Sequence, residues 1–260
     1  MRGNCIQRSL MAALVAATTL PFLTAPLGAQ PISLDAATGG WLNPWALVSP
    51  SKEGEIGKLS VAHHSIDAGP VVGNVNAASV AVGFNANMEA GFSRYFLDGP
   101  TPVISTDLDV ASFKWNIVAA EGDTPAISVG AIRRWSGSRN LGTTDFYGVA
   151  TRVFSLGSKS KQALLLNGGL RSSEAAIFGI AGTAAEREAL PFGTAALVLN
   201  EHLTLGVVLT DQPGTDTNRS IFARLIPGDD DNLQILVAVA RVDDALQAGE
   251  QLAASVTYRY

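Results

Sequence analysis

Three histidines are the residues of this sequence best suited to hold a metal ion or to act as a general base: His63, His64 and His202. His63 and His64 are neighbours in a stretch of alternating apolar residues, and neighbouring residues of a strand point to opposite faces. They cannot hold one metal ion together without a bulge, and His202 lies far along the chain. The sequence therefore predicts no metal site and no cofactor.

A serine nucleophile would be easiest to recognise in a Gly-x-Ser-x-Gly elbow, and the sequence has none. A serine beside His64 or His202 on a neighbouring strand is a second route to a hydrolase, and the sequence leaves that route open. The run Asp229-Asp230-Asp231-Asn232 offers oxygen ligands but lacks the spacing of a calcium loop. We interpret this run as a solvated turn, and we predict that the chain is not an enzyme.

Four charged residues, Glu89, Lys114, Arg134 and Arg224, each stand on the polar side of an alternating stretch. An Arg or Lys facing lipid at mid-membrane costs about 2–4 kcal/mol, so in a membrane barrel these side chains face the lumen or lie near the rims. There they either cross-link a filled interior or form a selectivity ring. The sequence favours the filled interior.

The elements that carry these residues are short apolar alternations separated by turn residues, and they continue from Ile56 to the C-terminus. Residues 77–85 and 88–97 are two such stretches, and their spacing predicts a hairpin across Asn85-Ala86-Asn87. About twelve strands of roughly 8 to 11 residues can be counted, which is the length that crosses a bilayer at a tilt. Residues 184–190 are good helix formers before Pro191, but the sequence leaves open whether they form one or two helical turns.

The last nine residues form the clearest alternation of all. Leu252, Ala254, Val256, Tyr258 and Tyr260 share one face, and Ala253, Ser255, Thr257 and Arg259 share the other. A chain that ends on an aromatic residue, with a second aromatic two places earlier, resembles the closing strand of a bacterial outer-membrane barrel. The resemblance implies that Val256, Tyr258 and Tyr260 are a signal read by the barrel-assembly machinery.

The N-terminus has the parts of a secretory signal peptide. Arg2 and Arg8 precede an apolar stretch that ends near Leu23, and small residues follow it up to Ala29. We predict that residues 1–29 are a signal peptide. Removing them takes away the single cysteine, Cys5, so no disulfide is expected in the exported chain.

Charge and hydropathy exclude two further classes of protein. The chain has 18 basic and 23 acidic residues, a net charge of −5, and loss of Arg2 and Arg8 with the signal would leave −7. No basic patch is present that could neutralise phosphates, so nucleic acid is not an expected partner. No stretch beyond the signal approaches 18 uncharged apolar residues, so no membrane helix is expected. A closed β-barrel is the membrane-spanning fold still allowed, because closure pairs every backbone donor and acceptor that lies in lipid.

Residues 30–55 differ from the rest because neither helical nor strand periodicity persists in them. Gly39-Gly40 and Asn43-Pro44 form turns, and Trp41 and Trp45 flank the proline. We interpret residues 30–55 as an N-terminal lead-in that packs on the fold, or as a small plug. Residues 56–260 form the barrel.

Several stretches resemble a group of poorly characterised bacterial outer-membrane barrels that is similar to the YjbH-like proteins linked to exopolysaccharide export. The resemblance rests on residues 38–46, 57–61, 87–94, 114–115 and 121–130, together with the C-terminal strand. It implies a barrel in the outer membrane of a diderm bacterium, and it implies no particular substrate.

The sequence as a whole predicts an all-β, antiparallel, up-and-down transmembrane β-barrel of about twelve strands, exported to the bacterial outer membrane. Its expected partners are outer-membrane lipid and the assembly machinery. Its expected function is that of a narrow channel or of a structural or export-associated component. A soluble exported β-sandwich that binds a ligand is the first alternative, and an outer-membrane hydrolase is the second.

Overall fold

The computed structural model describes residues 31–67, 73–99, 106–136, 141–157, 162–174, 187–211, 218–228, 232–241 and 250–260. The expected signal peptide and Asp229-Asp230-Asp231 lie outside these ranges. Twelve strands follow one another along the described chain: β1 Ile56–Asp67, β2 Asn74–Phe84, β3 Met88–Asp98, β4 Thr106–Val118, β5 Ala126–Ser136, β6 Leu141–Ser155, β7 Ala163–Ser173, β8 Glu188–Val198, β9 Leu203–Thr210, β10 Asn218–Leu225, β11 Leu233–Arg241 and β12 Glu250–Arg259.

Each strand pairs with its neighbours in the chain, and β1 also pairs with β12, so the sheet closes into a barrel. The closing pair is antiparallel and runs in register from Ser60 opposite Arg259 to Ile66 opposite Ala253. Closure leaves no strand edge unpaired, which is the condition for a sheet to cross a membrane. The predicted fold and strand number are confirmed, and the β-sandwich alternative is wrong because a sandwich needs two separate sheets.

Alternation along the strands gives the barrel an apolar outer face and an inner face that mixes polar side chains with buried apolar ones. In β12 the outward Leu252 is 57% exposed, whereas the inward Ser255 is 6% exposed. Large outward side chains on the other strands are exposed in the same way: Phe92, Phe96, Phe113, Trp115, Phe146, Leu170, Val207 and Ile221. An apolar belt of this kind is what lipid contact requires. The described part of the chain contains no helix long and apolar enough to cross a membrane.

The two barrel ends differ in their connections. The terminal end, where β1 begins and the chain finishes at Tyr260, carries the connections 85–87, 119–125, 156–162, 199–202 and 226–232. The opposite end, which we call the far end, carries 68–73, 99–105, 137–140, 174–187, 211–217 and 242–249. Asn85 and Ala86 have positive φ angles of 53° and 62° in the three-residue connection between β2 and β3. The hairpin predicted there is confirmed.

The start of β8 decides the structure of residues 188–190, for which the sequence leaves helical turns open. Residues 188–190 belong to the strand, and Leu190 pairs with Arg171 of β7. Leu190 points inward and is buried, while Pro191 points outward near the far end, where its carbonyl accepts from the Asp211 amide at 3.1 Å. Ladder pairing and burial therefore outweigh the local helix propensity of these residues. Residues 184–186 lie outside the described ranges.

Three inward aromatic rings lie flat against the wall, each over a glycine of the neighbouring strand. Tyr147, Phe192 and Phe222 stand directly opposite Gly130, Gly169 and Gly206 in the ladder. A Cβ atom at Gly206 would lie 2.5 Å from two carbons of the Phe222 ring. Each ring occupies the space that a side chain on the opposite residue would need, so these rings cover the wall instead of filling the lumen.

We therefore expect Gly206→Val to destabilise the barrel, because the new side chain displaces the Phe222 ring from a packed interior. Overpacking of this kind costs about 1–3 kcal/mol. The measurement is the temperature at which the folded protein loses its heat-dependent gel mobility in detergent. Gly148→Val is the matched control, since no atom lies within 4 Å of a Cβ at Gly148. Equal unfolding temperatures for the two variants would contradict the packing role of the ring.

Candidate functional site

The lumen of the barrel is occupied by the chain's own N-terminal residues 31–50, which we call the luminal segment. Residues 31–46 and Ser49 are buried, although they belong to no strand of the barrel. Hydrogen bonds join the segment to inward side chains of every strand from β3 to β7 and to β2, β9 and β10. These strands surround the segment, so it obstructs the barrel from within.

The luminal segment folds into two tight loops. In the first, the Ser33 amide donates to the Ala37 carbonyl at 2.8 Å, and Ala36 takes a positive φ of 57°. In the second, the Gly40 amide donates to the Asn43 carbonyl at 2.9 Å. A bond of 2.9 Å from the Leu34 amide to the Trp41 carbonyl joins the two. Gly-Gly and Asn-Pro therefore act as the turn formers that their sequence indicates.

Side chains of the wall bond to backbone groups of this irregular segment that its own loops leave unpaired. The carbonyls of Leu34, Ala36, Thr38, Pro44 and Ala46 accept, in turn, from Ser79, Ser112, Lys114, Asn167 and Asn116, and the Ala46 amide donates to Thr151. A buried backbone group without a partner would cost about 1–3 kcal/mol. The small polar residues of the inner face thus replace the ladder that the segment lacks.

The strongest anchor near the terminal end is Glu89 of β3. Its carboxylate accepts from the backbone amides of Thr38 and Ser49, both at 2.7 Å, and from the Thr38 hydroxyl. The Lys114 ammonium of β4 lies 3.0 Å from the same carboxylate and also donates to the Thr38 carbonyl at 2.9 Å. All four residues are buried. One ion pair therefore ties both halves of the luminal segment to the wall.

A second anchor lies toward the far end and consists of Asp35, Tyr95, Arg134, Asp145 and Arg171, which we call the Asp35 cluster. Arg134 binds the Asp35 carboxylate through two nitrogens, at 2.8 Å and 3.3 Å. The Tyr95 hydroxyl donates to the same carboxylate at 2.7 Å. A third Arg134 nitrogen donates to Asp145 at 2.6 Å, and Arg171 lies 3.8 Å from Asp145. Only Asp35 comes from the luminal segment.

Two glycines of the wall give the luminal segment the space it needs. A Cβ atom at Gly91 would collide with the carbonyl of Ala36, and one at Gly83 would collide with the carbonyl of Ser49. Both contacts involve backbone atoms, which cannot turn away as a flexible side chain can. The segment therefore packs backbone to backbone against β2 and β3.

Fewer hydrogen bonds join the luminal segment to the rest of the wall, and they come from Trp41 to Ser220 of β10 and from Asn43 to β8 and β9. Several buried side-chain atoms there have no hydrogen-bond partner: Thr204 Oγ1 on β9, both amide atoms of Asn218 on β10, Gln234 Oε1 on β11 and His64 Nε2 on β1. The luminal segment is consequently held mainly by one arc of the barrel, from β2 to β7.

The structure places the four charged residues singled out by sequence at inward, buried positions. Glu89 and Lys114 form one ion pair, Arg134 belongs to the Asp35 cluster, and Arg224 lies apart on β10 beside Thr204. They do not form a single ring. Their roles in a lumen stay a prediction, as does the reading of Val256, Tyr258 and Tyr260 as an assembly signal. Those three side chains point outward, and the two tyrosine rings meet edge to face.

The histidines are separated, as their spacing predicts. His63 is exposed on the outer face, His64 is buried in the lumen, and His202 lies in the terminal-end turn with its Nδ1 3.1 Å from the Ile226 carbonyl. Within the described ranges, no group of three potential metal ligands is found. No serine hydroxyl there forms a hydrogen bond with His64 or His202.

Sequence reasoning missed Asp35, Tyr95, Asp145 and Arg171. Strand parity could have indicated three of them, because Tyr95, Asp145 and Arg171 alternate with the outward Phe96, Phe146 and Leu170. Asp35 carries no such signal, since it lies in a segment without periodicity.

Comparison with known proteins places the chain in a family. Residues 29–240 match the family described as "Protein of unknown function (DUF3034)". The chain belongs to this family. No curated protein matches this DUF3034 chain. The match supports an identification as DUF3034, and the more specific resemblance to YjbH-like proteins is not confirmed.

Solved structures similar to the DUF3034 chain are outer-membrane barrels. The KdgM porin in complex with disordered oligogalacturonate has a TM-score of 0.52 and 9% sequence identity, over 78% of this chain and 99% of the porin. The outer membrane protein Omp33 of Acinetobacter baumannii has a TM-score of 0.54 and 7% identity, over 78% of this chain and 98% of that protein. At these identities the similarity establishes the fold.

The Glu89 anchor leads to a prediction about how tightly the luminal segment of the DUF3034 chain is held. We expect Glu89→Gln to loosen it, because Lys114 would keep a buried charge without a partner, at a cost of about 3–5 kcal/mol. Hydrogen exchange at the Thr38 and Ser49 amides, followed by mass spectrometry in detergent, measures this loosening.

Two further variants control the experiment. The double variant Glu89→Gln/Lys114→Met removes both charges, so we expect it to recover part of the protection. Arg94→Gln breaks an ion pair on the outer face, where Arg94 lies 2.9 Å from Asp107 and both are exposed, and it should leave the luminal amides unchanged. Unaltered exchange in Glu89→Gln would show that the ion pair does not hold the segment.

Proposed function

We propose that this protein is a non-enzymatic channel of the bacterial outer membrane, and that its luminal segment closes the channel in the state seen here. The proposal rests on one observation, which is that a separate segment fills the lumen. The wall presents polar side chains among apolar ones, and the obstruction comes from a segment that is continuous with β1 alone. A barrel built only for structural support could be filled by side chains of its own strands.

The outer surface and the two ends support an outer-membrane location. The apolar belt suits lipid, and the connections at the terminal end have 3 to 7 residues, whereas those at the far end have 4 to 14. Outer-membrane barrels have short periplasmic turns and longer extracellular loops. We therefore infer that the terminal end faces the periplasm, that residues 1–29 direct export, and that Val256, Tyr258 and Tyr260 address the chain to the assembly machinery.

Polar groups of the wall that lack partners indicate that water would enter the lumen once the luminal segment moves. Such groups lie on β9 to β11 and on β1, and each of them favours hydration. Withdrawal of the segment would bring water to Thr204, Asn218 and Gln234. The path would thus be narrow and polar, and it would suit small hydrophilic solutes.

A disulfide that fixes the luminal segment tests the proposal. The Asn43 and Thr210 side chains approach to 2.9 Å between Oδ1 and Oγ1, so Asn43→Cys/Thr210→Cys, in a chain with Cys5→Ser, should form a bond between segment and wall. In planar lipid bilayers we expect no current steps from the oxidised protein. Current steps should appear after reduction with dithiothreitol.

A disulfide within the wall is the matched control. Gln234 and Thr257 face each other on β11 and β12, outside the arc that anchors the luminal segment. Gln234→Cys/Thr257→Cys therefore joins two strands and leaves the segment free to move. Its currents should not depend on reduction. Equal conductance in the oxidised and reduced forms of both disulfide variants would contradict closure by the luminal segment.

Cell fractionation separates this proposal from a soluble exported protein, because a channel must sediment with the outer membrane and change gel mobility on heating. A link to exopolysaccharide export, which the resemblance to YjbH-like proteins implies, stays a prediction. So does the hydrolase alternative, which would require His64 or His202. Replacing both histidines should leave lipid cleavage by the purified protein at the level of the blank.

A further inference from the structure

The Asp35 cluster has the chemistry of a carboxylate-binding site. The guanidinium of Arg134 grips the Asp35 carboxylate through Nη2 at 2.8 Å and Nε at 3.3 Å, and the Tyr95 hydroxyl adds a third hydrogen bond of 2.7 Å. A planar guanidinium that contacts both oxygens of a carboxylate is the usual arrangement for recognising that group. The site is built and closed, because Asp35, Tyr95 and Arg134 are all buried.

The cluster also offers more hydrogen-bond donors than its two carboxylates use. Arg171 is buried, yet its Nε and Nη2 have no hydrogen-bond partner, and its contact with Asp145 is 3.8 Å long. The hydroxyl of Tyr147, which stands opposite Arg171 in the ladder, is buried without a partner as well. A buried guanidinium with unpaired donors is costly unless an acceptor reaches it. A second anionic group is therefore the partner that this site lacks.

The division of the cluster between segment and wall shows which member can leave. Tyr95, Arg134, Asp145 and Arg171 are fixed on β3, β5, β6 and β7 near the far end, whereas Asp35 belongs to the luminal segment. Withdrawal of the segment removes one carboxylate and leaves two guanidinium groups facing one remaining carboxylate. The wall alone would then carry an excess of positive charge at this point of the lumen.

We propose that this wall site binds carboxylate-bearing solutes, and that Asp35 is an internal carboxylate that occupies it while the channel is closed. The proposal rests on the proposed function, since a solute reaches the site only when the luminal segment moves. Solute and segment then compete for Arg134 and Tyr95. A solute with two carboxylates gains a further contact with Arg171, so an arriving dicarboxylate favours release of the segment.

Binding of succinate by the full chain in detergent, measured by isothermal titration calorimetry, tests the proposal. We expect weak binding to the unaltered protein, and about tenfold or tighter binding to Asp35→Asn, in which the internal competitor has lost its charge. Arg171→Gln should weaken succinate binding about tenfold in the Asp35→Asn background. Because Arg171 makes no hydrogen bond to Asp35, the single variant Arg171→Gln keeps the luminal segment anchored and shows that loss of binding is not loss of folding.

Arg94→Gln is the matched control, because it removes an arginine from the outer face of the same barrel and should leave succinate binding unchanged. Binding of succinate to Asp35→Asn that is no tighter than to the unaltered chain would overturn the proposal. Equal affinity for inorganic phosphate and succinate would overturn the assignment to carboxylates. The titration measures binding and the disulfide experiment measures current. Either experiment can therefore fail while the other succeeds, which separates a failure of this proposal from a failure of the proposed channel function.

Discussion

Every backbone donor and acceptor that lies at membrane depth must find a partner within the protein, and this constraint governs the whole structure. In the wall it is met by closure, since β12 returns to β1 and leaves no free edge. The luminal segment has no ladder of its own, and it meets the same constraint through side chains of the wall. Ser112, Asn116 and Asn167 donate to its carbonyls, and Glu89 accepts from its amides. The polar side chains of the inner face are thus explained by the backbone groups of the luminal segment to which they hydrogen-bond.

Small residues make that bonding possible, because a barrel of this size has little room for both a wall and a filling. Gly83 and Gly91 let the backbone of the luminal segment touch the strands. Gly130, Gly169 and Gly206 let the rings of Tyr147, Phe192 and Phe222 lie along the wall. The wall has glycine and serine where the luminal segment packs against it most closely, and aromatic rings lie along the wall elsewhere. Both arrangements follow from the small volume inside the barrel.

Most of the fold could be predicted from the sequence because strands have a period of two, and this period shows which residues share a face. Glu89, Lys114 and Arg134 could be assigned to the inner face on that basis alone. The partners that the luminal segment supplies could not, because Asp35, Thr38 and Ser49 lie in irregular backbone whose path depends on the barrel around it. Residues 188–190 could not be assigned from sequence, because their local helix preference is outweighed by pairing with β7.

The use of ion pairs to hold the luminal segment favours a movable closure over a permanent one. An apolar plug would be at least as stable, since buried ion pairs lose much of their attraction to desolvation. It would also resist opening, because an apolar lumen does not gain water. In the proposed open state the apolar contacts of Leu34, Trp41 and Trp45 with the wall are lost. The charged groups left behind are Lys114, Arg134, Arg171 and Glu89, all of which water can solvate. Hydration of the emptied wall therefore offsets part of the lost contacts. The same charges that fix the segment in one position bring its closed and open states closer in free energy, as a two-state element requires.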